Sequence, residues 1–147
     1  MKVFQFIFLL FSFNAALAAN AIFNFNADAV SVYENMLNGK TIAAKESISA
    51  YKKQQPENLI WLWLEEYNEF INLYFSESET DFKTYVANNE QHLSALKKAT
   101  SKNAWHRYAI AENYLHLAFA QFMFEEYVSG FWNVRRAYLL LEENQKA

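Results

Sequence analysis

At 147 residues, with 53% hydrophobic and 18% aromatic side chains, the chain carries enough apolar material for one buried core. Two glycines and one proline are too few for the turns of a sheet protein of this length, and the absence of cysteine excludes disulfides and cysteine–metal sites. A formal net charge of −3 argues against nucleic-acid binding, which relies on a basic stripe.

The N-terminus reads as a secretory signal peptide over residues 1–18. Lys2 supplies the positive region, and Val3 to Phe13 is apolar apart from Gln5 and Ser12. Ala16-Leu17-Ala18 then places small residues at the −3 and −1 positions, so cleavage is expected after Ala18, or one residue later after Ala19. The rival reading, an uncleaved anchor, has an apolar run short of the roughly 20 residues a spanning helix needs. Losing Lys2 with the leader leaves 12 basic residues against 16 acidic ones, a net charge of −4. Export without any cysteine fits a bacterial periplasm, and no N-terminal cysteine exists to carry a lipid anchor.

Residues 19–27, rich in Ala and Asn, read as a loose lead-in to a single helical domain over 28–147. The first helix is expected from Asp28 to Leu37, closed by Asn38-Gly39. The second covers Thr41 to Lys53 and must stop before Pro56. The third covers Glu57 to Phe75. Ser76 with Glu79, or Ser78 with Asp81, can cap the fourth, which runs to about Lys98. Ser101 can cap the fifth, about Lys102 to Glu125, and the sixth starts at Tyr127. No stretch alternates with period two, so no sheet is expected. The fold class is all-α: about six helices in antiparallel hairpins, forming a short solenoid or an irregular bundle.

Within the third helix, "LIWLWL" is too short to span a membrane before Glu65, Glu66 and Glu69 follow, each costing on the order of 3 kcal/mol near mid-bilayer. At 100° per residue Trp63 joins Leu59, Tyr67, Phe70, Ile71 and Tyr74 on a core face. Trp61 falls among Glu65, Asn68 and Asn72. Either another helix, such as one from the first hairpin, covers it, or it is an exposed indole that anchors a partner or stacks on a sugar. Glu66, at the edge of the apolar face, calls for a salt bridge, with Arg107, Arg135 and Arg136 as candidates. Asn89 interrupts the stripe of Phe82, Val86, Leu93 and Leu96 and calls for an interhelical hydrogen bond.

Glu112 and His116, four apart, share a face of the fifth helix with Trp105, Tyr108, Phe119 and Met123. Two readings stay open: a pair that hydrogen-bonds helix to helix, or a site for a small ligand or metal. The metal signal is thin, because carboxylate-bridged bundle sites use Glu-x-x-His from two helices. No Ser–His–acid arrangement and no Gly-rich phosphate loop is present, so neither catalysis nor a cofactor is expected.

The sixth helix carries two apolar stripes. Tyr127, Phe131, Val134, Tyr138 and Leu141 are expected to pack on the fifth helix. Val128, Trp132 and Leu139, with Arg135 between them, form a second stripe. It meets the earlier helices, a partner, or a further repeat.

Over residues 111 to 141 the last two helices resemble a tetratricopeptide repeat. Tyr114, Leu117 and Ala118 match its first-helix pattern, and Tyr127, Gly130 and Ala137 fall where an aromatic and two small residues belong. Val134 stands where an aromatic is usual, and Glu142 stands where the terminal proline would be. Residues 28 to 53 echo the pattern only at Tyr33 and Ala43 or Ala44. The whole chain is similar in style to the N-terminal part of larger secreted helical-repeat proteins of Gram-negative bacteria. The resemblance implies a scaffold that binds a protein or peptide, with Trp132, Val128, Arg135 and Leu139, then Trp61, as the expected contacts.

Overall fold

The computed structural model describes residues 21–99 and 103–146, so the expected signal peptide and Ser101 lie outside the described residues. Within them the chain is six α-helices, with no strand: α1 (Ala27–Leu37), α2 (Thr41–Gln54), α3 (Ile60–Ser76), α4 (Glu79–Lys98), α5 (Ala104–Met123) and α6 (Tyr127–Gln145). No helix among the described residues is long and apolar enough to cross a membrane.

The helix ends follow local chemistry. The Asn26 side chain accepts from the Ala29 N–H at 3.0 Å and opens α1. Gly39, at φ +75°, closes it: Lys40 N–H returns to the Asn35 carbonyl and Gly39 N–H to that of Met36. Ser78 opens α4 by accepting from Asp81 N–H, the second of the two registers open in the sequence. Asn103 opens α5 by accepting from Trp105 N–H at 2.9 Å.

The turn between α5 and α6 has the same return pattern as the end of α1, with Glu126 N–H on the Gln121 carbonyl and Glu125 N–H on that of Phe122. Here Glu125, not glycine, holds the left-handed position at φ 64°. A side chain strains that conformation by about 1–2 kcal/mol. Glu125→Gly is therefore expected to raise the unfolding free energy by about 1 kcal/mol in a denaturant titration. An unchanged or lower value would contradict strain at this turn.

The lead-in is not loose over residues 21–25. Ile22 and Asn58 form a parallel bridge, with Ile22 N–H on the Glu57 carbonyl and Leu59 N–H on that of Ile22, both at 2.9 Å. Asn58 is buried and accepts from Asn24 N–H, and Phe23 is buried against the core. The Ala/Asn composition hid this anchoring, which depends on partners more than 30 residues away.

α3 lies at the centre, packed against α1, α2, α4 and α5. It is accordingly buried on several sides, through Trp61, Trp63, Leu64, Glu66, Asn68 and Leu73. α6 lies at the edge and packs along α5.

The expected contact stripe of α6 is not the one used. Tyr127, Phe131, Val134 and Tyr138 are exposed, and Leu141 is half-buried. Gly130, Asn133 and Ala137 are buried instead. The reason is close approach: a Cβ at Gly130 would sit 2.4 Å from the Phe122 ring. Small residues let two helices come together where a large stripe would hold them apart. Gly130 and Ala137 are also the small positions of the repeat-like pattern.

Candidate functional site

Every large residue of the second α6 stripe faces solvent. Val128 is 74% exposed, Trp132 51% and Leu139 38%, and the Arg135 guanidinium lies 5.9 Å from the centre of the Trp132 ring. The stripe is not buried by residues 28–53. Phe131 stands edge-on to Trp132 at 6.2 Å, so the two stripes join into one apolar-aromatic face. Along one side of that face runs a groove of about 540 Å³ between α4, α5 and α6, with Trp132 lining it. Lys97 and Arg136 flank the Tyr114 ring in this groove, with Lys97 Nζ at 4.7 Å and the Arg136 guanidinium carbon at 5.8 Å from the ring centre.

Trp61 is not part of any exposed face. It is 0% exposed, and Tyr51 of α2 stacks on it at 4.8 Å with planes 12° apart. The first hairpin supplies its cover, so Trp61, contrary to expectation, is not open to a partner. The polar side of α3 is itself an interface: Asn68 is buried, and Glu65 pairs with Lys52 of α2 and with His92 of α4. The His92 hydrogen bond and the Lys52 ammonium, acting against partial burial, bring the Glu65 carboxyl down to about 2.

Glu112 and His116 point into different surroundings. His116 is buried, stacked on Phe70 at 4.4 Å, and its Nδ1 lies 2.9 Å from Glu66 Oε2. Burial pulls the imidazole pKa down, but the charge and hydrogen bond of Glu66, aided by Glu112, outweigh it and leave it raised. Glu66 thus pairs with a histidine 50 residues away, not with Arg107, Arg135 or Arg136. Its other oxygen accepts from Tyr85 OH at 2.5 Å and Asn89 Nδ2 at 3.3 Å. Asn89 also donates to Asn113 Oδ1 at 2.8 Å, the interhelical bond its place in the stripe calls for. The result is a polar network joining α3, α4 and α5 inside an aromatic core.

Glu112 belongs to another group. Its Oε2 accepts from the indole Nε1 of Trp63 at 2.8 Å and its Oε1 from Tyr108 OH at 3.2 Å. Burial raises the pKa of the carboxyl, offset in part by His116 and these two hydrogen bonds. Beside it opens a cavity of about 520 Å³ lined by Phe23, Phe25, Ile60, Trp63, Trp105 and Tyr108, with Asn24 and Asn103 at its edge. The sequence hinted at half of this pocket, since Trp105, Tyr108 and Glu112 share a helix face. Phe23 and Phe25 could not be foreseen, because only the bridge to Asn58 brings them there.

Among the described residues no three His, Asp or Glu side chains come together in a geometry that could hold a metal ion. No protein-family model matches the chain, and comparisons with curated proteins and with solved structures likewise find no match.

Proposed function

We propose that the chain is a non-catalytic protein-interaction module, exported to a Gram-negative periplasm, with tetratricopeptide-like packing of its last two helices. It takes a protein or peptide on the outer face of α6. The observation that carries this reading is the exposure of Val128, Trp132 and Leu139 around Arg135 on a helix whose buried side is Gly130, Asn133 and Ala137. A contiguous apolar-aromatic face of this kind is uncommon on a chain that acts alone. Tryptophan, tyrosine and arginine are the residues that dominate binding energy at protein interfaces. The neighbouring groove offers the cations of Lys97 and Arg136 beside Tyr114, so polar contacts are at hand at the edge of the apolar face.

The separation of Glu112 from His116 speaks against one ligand or metal held by both. Affinity capture from periplasmic extract tests the α6 reading. A partner recovered by the wild-type chain is expected to fall at least about tenfold with Trp132→Ala, the loss of a hot spot worth about 1–2 kcal/mol or more. Equal recovery of the same partner by both baits would reject this face.

A further inference from the structure

The pocket beside Glu112 points to a ligand of definite chemistry, and it stands independently of the α6 face. We infer that the cavity walled by Phe23, Phe25, Trp63, Trp105 and Tyr108 is a binding site for a small organic cation of the quaternary-ammonium class.

The walls come from three places: the lead-in (Phe23, Phe25), α3 (Trp63) and α5 (Trp105, Tyr108). Around the indole of Trp63, Phe25 stands edge-on at 6.1 Å and Phe23 at 6.5 Å, while Trp105 and Tyr108 stand edge-on to each other at 6.1 Å. Tyr33 stacks on one face of the Trp63 indole at 5.9 Å, and the remaining rings bring aromatic surface to the space from several sides, a wall that attracts a cation by the ring quadrupole. The cavity, about 520 Å³, falls within the range that holds a small molecule.

Charge selects among the ligands that aromatic walls could take. Among the described residues no lysine or arginine lines the cavity. The acid behind it, Glu112, accepts one hydrogen bond from the Trp63 indole and one from the Tyr108 hydroxyl. A ring that donates to a carboxylate gains π-electron density, so one anion enriches two of the walls at once. A sugar would need several hydrogen-bond partners for its hydroxyls. Among the described lining residues the Asn103 amide already caps α5 and donates to the Phe23 carbonyl, and the Trp63 indole N–H and Tyr108 hydroxyl are spent on Glu112, which leaves Asn24 and the Trp105 indole N–H. A primary ammonium would bring three N–H donors with few acceptors to meet them. A quaternary ammonium brings positive charge and no donor, which matches walls that offer electron density and little else.

The test uses the full chain, tryptophan fluorescence and calorimetry, and two probes: choline chloride and its neutral tert-butyl isostere, each against a sodium chloride reference of equal ionic strength. Choline is expected to bind saturably, and the isostere at least about tenfold more weakly, the fold-change a desolvated cation–π contact supplies. Trp105→Ala is expected to weaken choline binding by a similar factor while leaving the circular dichroism unchanged, since Trp105 is 67% exposed. Glu112→Gln should weaken choline and leave the isostere unaffected. If that variant fails to fold, the Trp105 variant decides. Equal binding of the two probes, no saturable choline binding, or choline binding indifferent to Trp105→Ala would each overturn the assignment.

Discussion

Glu66→Ala is expected to destabilise the chain by about 3–5 kcal/mol, because it strands the buried partners of a charge that is itself fully buried. Tyr85, Asn89 and His116 all turn to that one carboxylate, from two other helices. Removing it leaves a hydroxyl and an imidazole without their carboxylate partner in a dry, aromatic surrounding and takes one of the acceptors of the Asn89 amide, which keeps Asn113 Oδ1. Glu66→Gln keeps an acceptor oxygen for Tyr85 and Asn89 but presents a neutral group to His116, so a smaller loss, about 1–3 kcal/mol, is expected. The pair also has a pH signature. The folded imidazole pKa is raised above its unfolded value near 6.5, so the folded state holds the extra proton. The stabilisation is therefore fully present below about pH 6.5 and is lost as pH rises through the folded pKa. Urea unfolding from pH 6 to 9 should show the gap between wild type and Glu66→Gln narrowing as pH rises. A gap that widens would contradict a charged pair at this place.

Trp61→Ala is expected to cost a further large amount, about 3–5 kcal/mol, through the cavity left where the indole fills the space between α3 and α2. Trp61→Phe keeps a ring against Tyr51 and should cost clearly less. Trp132→Ala, on the open face of α6, should stay within about 0.5 kcal/mol of wild type. Chemical denaturation of the three variants checks the contrast. A Trp132→Ala loss as large as that of Trp61→Ala would mean that the α6 face serves the fold and not a partner.

These two tryptophans also mark how far the sequence could be read. Trp63 as a core residue and the six helices with their stops at Asn38-Gly39 and before Pro56 follow from periodicity and capping chemistry, which act over a few residues. The cover on Trp61 does not, because a helical wheel reports the neighbours within one helix, and Tyr51 sits on another. The Glu66–His116 pair fails for the same reason. Its partners are brought together only by the relative register of α3 and α5, which no local pattern encodes. The α6 packing face escapes the sequence for a different cause. Apolar periodicity weighs large side chains, whereas the α5–α6 contact uses Gly130 and Ala137, whose value lies in their small size, and Asn133, which donates to Gln121 Oε1 at 2.8 Å. Of the candidate site, Val128, Trp132, Arg135 and Leu139 were legible as a stripe without a hairpin partner. The aromatic pocket was legible only on its α5 side.

Site-specific photo-crosslinking in living cells is the most direct test of an interaction role for α6. The crosslinking residue would replace Trp132, Val128 or Leu139 in turn, with Ile42, an exposed apolar residue of α2, as the reference position. One covalent adduct common to the three α6 positions and missing at position 42 is the expected result. No adduct from α6, or the same adducts from position 42, would contradict a partner on this face.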